Sequence, residues 1–168
     1  MVPACIYEGD TIPSLHMPTL YVFKPLIFKN KREQQSYNRL VRNVKRTLPI
    51  AKEVNRAIIE TYEFLQTLPD EKARQKHLNL VEKSVKEQYT PRLKKLSFSQ
   101  GKLLIKLINR ETDSSSYELV KAFLGPFKAG FYQAFAALFG ASLKKEYHPD
   151  GEDALTERIV ILVENGQL

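Results

Sequence analysis

Residues 147–153 hold the side chains best suited to binding an ion. This stretch contains one imidazole, from His148, and three carboxylates, from Asp150, Glu152 and Asp153. Carboxylate oxygens suit a hard cation, and an imidazole nitrogen suits a transition metal. However, the spacing is not that of an EF-hand loop, and Pro-Asp-Gly followed by acids is typical of a turn that starts a helix. We therefore expect a turn with a helix cap, with Asp150, Glu152 and Asp153 as the alternative metal ligands.

A cationic stretch covers residues 29–46, with seven Lys or Arg side chains and a single acid, Glu33. On a helix that advances about 100° per residue, five of the cations share one side. They are Lys31, Arg32, Arg39, Arg42 and Arg46, and we call them the cationic stripe. The opposite side is apolar and consists of Tyr37, Leu40, Val41, Val44 and Leu48. The pattern predicts a helix with one dry face and one cationic face.

Three interpretations of the cationic stripe are open. The first is contact with an anionic partner, namely a protein, lipid or glycan surface. The second is nucleic-acid binding through phosphate contacts, although no nucleic-acid-binding motif is present. The third is a solvated helix face, whose cations pair with Glu53, with Glu60 or with the acidic C-terminal segment.

Material for catalysis is sparse. The single cysteine, Cys5, lies near the N-terminus, and the three histidines, His16, His77 and His148, are far apart in sequence. Residues 97–99 lack the glycines of a hydrolase nucleophile elbow, and residues 100–102 lack those of a phosphate-binding loop. Arg110 and Glu111 either line a cleft or close the end of a helix by a salt bridge. The sequence therefore favours a non-enzymatic protein without a cofactor, and an enzyme with a fold-assembled site is the further alternative.

Length and composition fit one ordinary globular domain. The chain has 168 residues, of which 43% are hydrophobic and 27% charged. A chain of this size can bury a hydrophobic core without disulfides or structural metal ions. One cysteine excludes an intramolecular disulfide. The net charge of +7 is unevenly distributed, because residues 149–168 carry five acids and only one base. No apolar run approaches the length of a membrane span.

The order of the elements follows from proline positions and apolar periodicity. Residues 1–28 contain four of the nine prolines and an extended-looking run at 19–23, which predicts an extended arm with at most one edge strand. Residues 29–168 form the predicted helical domain. Asn30 should cap a helix over 31–47, Pro49 should kink or restart it, and a second segment should follow to 68. Further helices are expected over 71–89, 97–110, 127–139 and 153–165.

Two of these helices have distinctive compositions. Ser97 and Gln100 fit a capping box, and the apolar residues between 103 and 108 leave only a narrow polar strip. The helix over 127–139 has phenylalanine at every fourth position, which is typical of a buried element. The fold class predicted is all-α, an irregular bundle of about five to seven helices with an extended N-terminal arm.

Several blocks of sequence, in order, resemble an uncharacterised bacterial family, the domain of unknown function numbered 4294. They are residues 28–32, 39–45, 47–49, 100–108 and 151–153. The resemblance covers the chain from about residue 10, and the family brings no activity or catalytic residues to carry over. It implies an export signal ahead of the stretch that matches residues 9–13, which this chain as it stands does not show. We therefore expect the periplasm or cell envelope if a signal precedes Met1, and the cytoplasm otherwise.

Overall fold

The computed structural model describes residues 3–15, 17, 19–114 and 147–168. Within them lie two antiparallel strands, β1 (Ala4–Tyr7) and β2 (Asp10–Pro13), and four helices. The helices are α1 (Lys31–Thr67), α2 (Glu71–Leu93), α3 (Phe98–Ser114) and α4 (Ala154–Glu164). The predicted mainly helical fold with an N-terminal arm is confirmed. The predicted phenylalanine-rich helix over 127–139 lies outside the described residues.

Helix α1 begins where the sequence predicts but does not break at proline. The side chain of Asn30 accepts a hydrogen bond from the Glu33 backbone N–H at 2.9 Å, and Glu33 accepts one from the backbone N–H of Lys29 at 2.7 Å. Of the two outcomes predicted at Pro49, a kink or a restart, the restart was wrong, because one helix runs through this residue. Pro49 is exposed, while its neighbours Leu48 and Ile50 are buried. Core packing on both sides holds the helix together despite the lost backbone donor.

Helix α2 returns alongside the second half of α1. Asp70 caps it by accepting from the Ala73 backbone N–H at 2.7 Å. Near the turn, the rings of Phe64 and His77 lie 4.4 Å apart, and His77 is half-buried. The helix also runs through Pro91 to Leu93, beyond the predicted end near residue 89.

The core lies between α1, α3 and α4. Leu104 and Leu107 of α3 are fully buried, as are Val44 of α1 and Ile159 of α4. The predicted capping box of α3 is confirmed, since the Ser97 backbone N–H donates to Gln100 Oε1 at 3.0 Å and the Gln100 N–H lies 3.4 Å from Ser97 Oγ. The apolar residues of α3 between 103 and 108 are buried in the same core cluster as the apolar residues of α1.

The N-terminal arm contains a two-stranded β-hairpin, whereas its prolines had led us to predict at most one edge strand. Strands β1 and β2 pair with Cys5 opposite Ile12 and Tyr7 opposite Asp10. Glu8 and Gly9 connect them with positive φ angles of 51° and 94°, the backbone of a tight hairpin turn. The extended-looking run at 19–23 is not a strand.

The rest of the arm is tied to α4 and to the segment after it. Arg158 donates to the carbonyl of Lys24 at 2.7 Å and lies over the ring of Phe23 at 4.9 Å. The side-chain amide of Gln167 exchanges two hydrogen bonds with the backbone of Tyr21, at 2.9 and 3.2 Å. No helix within the described residues combines the length and apolar character needed to cross a bilayer.

Candidate functional site

The cationic stripe lies on the solvent face of the first half of α1. All five members are exposed, because the opposite face supplies Val44 and Leu48 to the core. Arg46 donates to the backbone carbonyl of Lys95 at 3.2 Å. Among the described residues, no carboxylate lies within salt-bridge distance of any stripe cation.

The stripe borders a shallow surface groove. Its volume is about 510 Å³. Among the described residues, two guanidinium groups, two side-chain amides and one apolar side chain line it, from Arg39, Arg42, Gln35, Asn38 and Val41. Such a lining offers several hydrogen-bond donors and a small apolar floor. This chemistry suits a ligand that carries carboxylate or other anionic oxygens.

Two of the acids predicted as partners of the stripe, Glu53 and Glu164, are paired with other cations. Glu53 pairs with Arg92 at the end of α2, and Glu164 of the C-terminal acidic segment pairs with Lys52 at 2.6 Å. Glu33, the one acid within the cationic stretch, accepts the capping hydrogen bond from Lys29. Glu53 and Glu164 therefore neutralise cations that lie outside the stripe.

A second cluster of charges joins α3 to α4 and is largely shielded from solvent. Arg110 binds Glu157 with two hydrogen bonds, from Nε at 2.7 Å and from Nη2 at 2.8 Å. It also donates to Glu111 at 2.7 Å and to Glu164 at 3.3 Å. The hydroxyl of Tyr147 donates to Glu157 at 2.7 Å. We call Arg110, Glu111, Tyr147, Glu157 and Glu164 the Arg110 network.

Three members of the Arg110 network, Arg110, Tyr147 and Glu157, have shifted pKa values. Burial and the neighbouring Glu157 carboxylate raise the pKa of the Tyr147 hydroxyl. Burial opposes ionisation of Glu157, but its hydrogen bonds from Arg110 and Tyr147 prevail and lower its pKa. Burial also opposes the charge on Arg110, and the three carboxylates around it still raise its pKa. Each of these pKa values moves further from pH 7, so the three groups keep one protonation state near neutral pH. They therefore suit a structural contact between α3 and α4 better than proton transfer.

The pKa of Glu157 leads to a testable pH dependence. Because the folded-state pKa lies below the ordinary value of 4.5, ionised Glu157 stabilises the fold fully above that value, and the contribution is lost as pH falls through the folded pKa. We expect Glu157→Gln to be less stable than the parent at neutral pH and to approach it in acid. Urea unfolding from pH 7 to pH 3 measures this, and a stability difference that stays constant across that range would contradict it. Tyr147→Phe removes one hydrogen-bond donor to Glu157, so the loss of stability in acid should begin at a higher pH.

The loop at 148–153 forms the predicted turn, with the Gly151 N–H donating to the His148 carbonyl at 3.0 Å. The expected cap is wrong in detail, since Asp153 occupies the N-cap position without a side-chain hydrogen bond to α4. Its carboxylate instead accepts from Lys106 at 2.7 and 2.8 Å and from the His148 N–H at 3.1 Å. Lys106 also contacts Glu152 at 3.3 Å.

In this structure the ammonium group of Lys106, and not a metal ion, binds two of the predicted metal ligands. Asp150 is exposed, and the two other predicted ligands share one ammonium group. Across residues 3–114 and 147–168, with the gaps stated above, no cluster of three or more His, Cys, Asp or Glu side chains could hold a metal ion.

Sequence reasoning named Arg110 and Glu111 but missed their main partner, Glu157. The signal was present as spacing, because Lys106 and Arg110 are four residues apart on α3, as are Asp153 at the N-cap of α4 and Glu157 within it. Two such pairs can face each other across adjacent helices. Only the packing of α3 against α4 shows that they do.

Comparison with known proteins identifies a family for nearly the whole chain. No curated protein and no solved structure matches it. Residues 10–162 match the sequence profile of a family described as Domain of unknown function (DUF4294). That match covers strand β2, the cationic stripe and every member of the Arg110 network except Glu164. The chain therefore belongs to the DUF4294 family.

Proposed function

We propose that this protein is a non-enzymatic binding or structural module that contacts an anionic partner through the cationic stripe of α1. One observation supports this most directly: all five stripe cations are exposed along one helix face, and none has a carboxylate partner among the described residues, while Lys52, Arg92, Lys106 and Arg110 are paired.

The geometry of the stripe supports an extended contact. From Lys31 to Arg46 the helix advances about 22 Å, at 1.5 Å per residue. Four of the five cations are arginines, whose planar guanidinium groups bind carboxylate and phosphate oxygens with two hydrogen bonds each. A row of such groups on a rigid helix offers several contacts at once without ordering a loop.

A protein surface that bears carboxylates fits the stripe better than a nucleic acid does. The groove contains two amides and a valine between its arginines, a mixed lining that is typical of protein contacts. The aromatic ring within residues 31–46, Tyr37, packs against Phe28 at 5.4 Å on the other side of α1. That ring is therefore turned away from the stripe, where stacking on an unpaired base would require it.

Charge reversal on α1 tests the proposed contact. We expect the parent protein to bind an acidic polymer such as polyglutamate in a salt-dependent manner. Arg39→Glu/Arg42→Glu should weaken this binding by at least about tenfold, because two attractive contacts become repulsive. Fluorescence anisotropy with a labelled polymer measures the dissociation constant at several salt concentrations.

A matched control separates the stripe from net charge. Lys72→Glu/Lys76→Glu makes the same change in charge on α2, where both lysines are exposed. We expect this variant to bind nearly as the parent does. An equal loss in both variants, or no binding by the parent, would contradict the proposal. Retention on duplex DNA at physiological salt that exceeds binding to polyglutamate would favour the nucleic-acid alternative.

A further inference from the structure

The β-hairpin carries an acidic tip. Glu8 and Asp10 flank Gly9 at the turn, and all three residues are exposed. Glu8 has a φ of 51°, a left-handed conformation that glycine or asparagine adopts more readily. Tyr7 lies directly opposite Asp10 in the register, so its ring and that carboxylate share one face of the hairpin.

The hairpin contributes no buried residue to the core formed by the described residues. Every residue of β1 and β2 is exposed, including Ile6 at 80% and Tyr7 at 62%. These two residues point to opposite faces, because side chains alternate along a strand. A two-stranded hairpin on its own is marginally stable in water, and contact with another surface would stabilise it.

The groove beside the cationic stripe complements the hairpin tip. Arg39 and Arg42 can each bind one carboxylate of Glu8 or Asp10, and either guanidinium can stack on a tyrosine ring. Glu8 and Asp10 are the charged residues of segment 3–23, so the tip brings no cation to oppose the arginines. The hairpin is thus an acidic, partly apolar ligand, and the groove is a cationic site with an apolar floor.

We propose that the hairpin tip of one copy of this chain docks into the α1 groove of a second copy. This inference rests on the proposed function, because it identifies the anionic partner of the stripe as the hairpin of another molecule. Each copy has both surfaces, so a two-fold arrangement satisfies both at once and closes the assembly as a dimer.

A charge-swap experiment tests the docking. Sedimentation velocity of the parent protein should show a dimer that dissociates as salt is raised. Glu8→Arg/Asp10→Arg and Arg39→Glu/Arg42→Glu should each raise the dissociation constant by at least about tenfold. A molecule that carries all four substitutions restores opposite charges across the contact, and we expect it to dimerise more strongly than either double variant.

Controls and contrary outcomes are distinct from those of the proposed function. Lys72→Glu/Lys76→Glu and Glu63→Arg/Glu87→Arg change exposed charges elsewhere and should leave the dimer intact. The docking would be overturned by a monomeric parent. It would also be overturned if the variant with all four substitutions dimerised no more strongly than the double variants. If such a monomeric parent still binds polyglutamate through the stripe, the proposed function stands and its partner is a different molecule. Loss of both properties would overturn the two together.

Discussion

Replacing Arg110 by alanine should lower the free energy of unfolding by about 3 kcal/mol, because it leaves a shielded carboxylate without its cation. The side chains of Arg110 and Glu157 are only 15% and 20% exposed, so water cannot fully replace the lost contact. Urea denaturation measures the change, provided that the slope of the unfolding free energy against urea concentration is the same for the parent and the variant.

The pair between Arg92 and Glu53 provides a matched control for this prediction. Its side chains are 42% and 44% exposed, and solvent-exposed pairs contribute about 1 kcal/mol or less. In double-mutant cycles with alanine, the coupling energy between Arg110 and Glu157 should therefore exceed that between Arg92 and Glu53. Equal coupling energies would show that the Arg110 network is not the tie between α3 and α4.

The second large effect is expected in the core. Leu104→Ala should cost about 3 kcal/mol, because the side chain is fully buried and its removal combines lost transfer energy with a cavity. Leu80→Ala serves as the control, since that side chain is 59% exposed, and its effect should stay within about 0.5 kcal/mol. Thermal and urea unfolding should rank the two variants alike, and similar stabilities would contradict the position of α3 in the core.

The features predicted correctly from the sequence depend on local chemistry. Asn30 and the pair of Ser97 and Gln100 make hydrogen bonds to residues three positions away, so their spacing alone indicates a helix start. The buried face of α3 also follows from its own composition. These signals need no knowledge of the rest of the fold.

The wrong or missing predictions depend on tertiary contacts. Pro49 weakens a helix locally, but Leu48 and Ile50 are buried on either side of it, and that packing prevails. The partners of Arg110 and Lys106 lie 46 or more positions away in sequence, apart from Glu111. A single sequence does not show which of the acids near its C-terminus approach α3. For the cationic stripe, the periodicity correctly indicated which side of α1 faces solvent, while the identity of its partner stays a prediction.

The attachment of the N-terminal arm has a consequence for biosynthesis. Tyr21 is held by a residue 146 positions further along the chain, and the carbonyl of Lys24 by one 134 positions further. At ribosomal rates of about 5–20 residues per second, the arm emerges on the order of 10 s before those anchors exist. During that interval the ring of Phe23, which is partly buried beneath Arg158 in the folded protein, lies uncovered beside the growing chain. Chaperones that recognise extended apolar segments therefore have their best access to Phe23 before α4 is made.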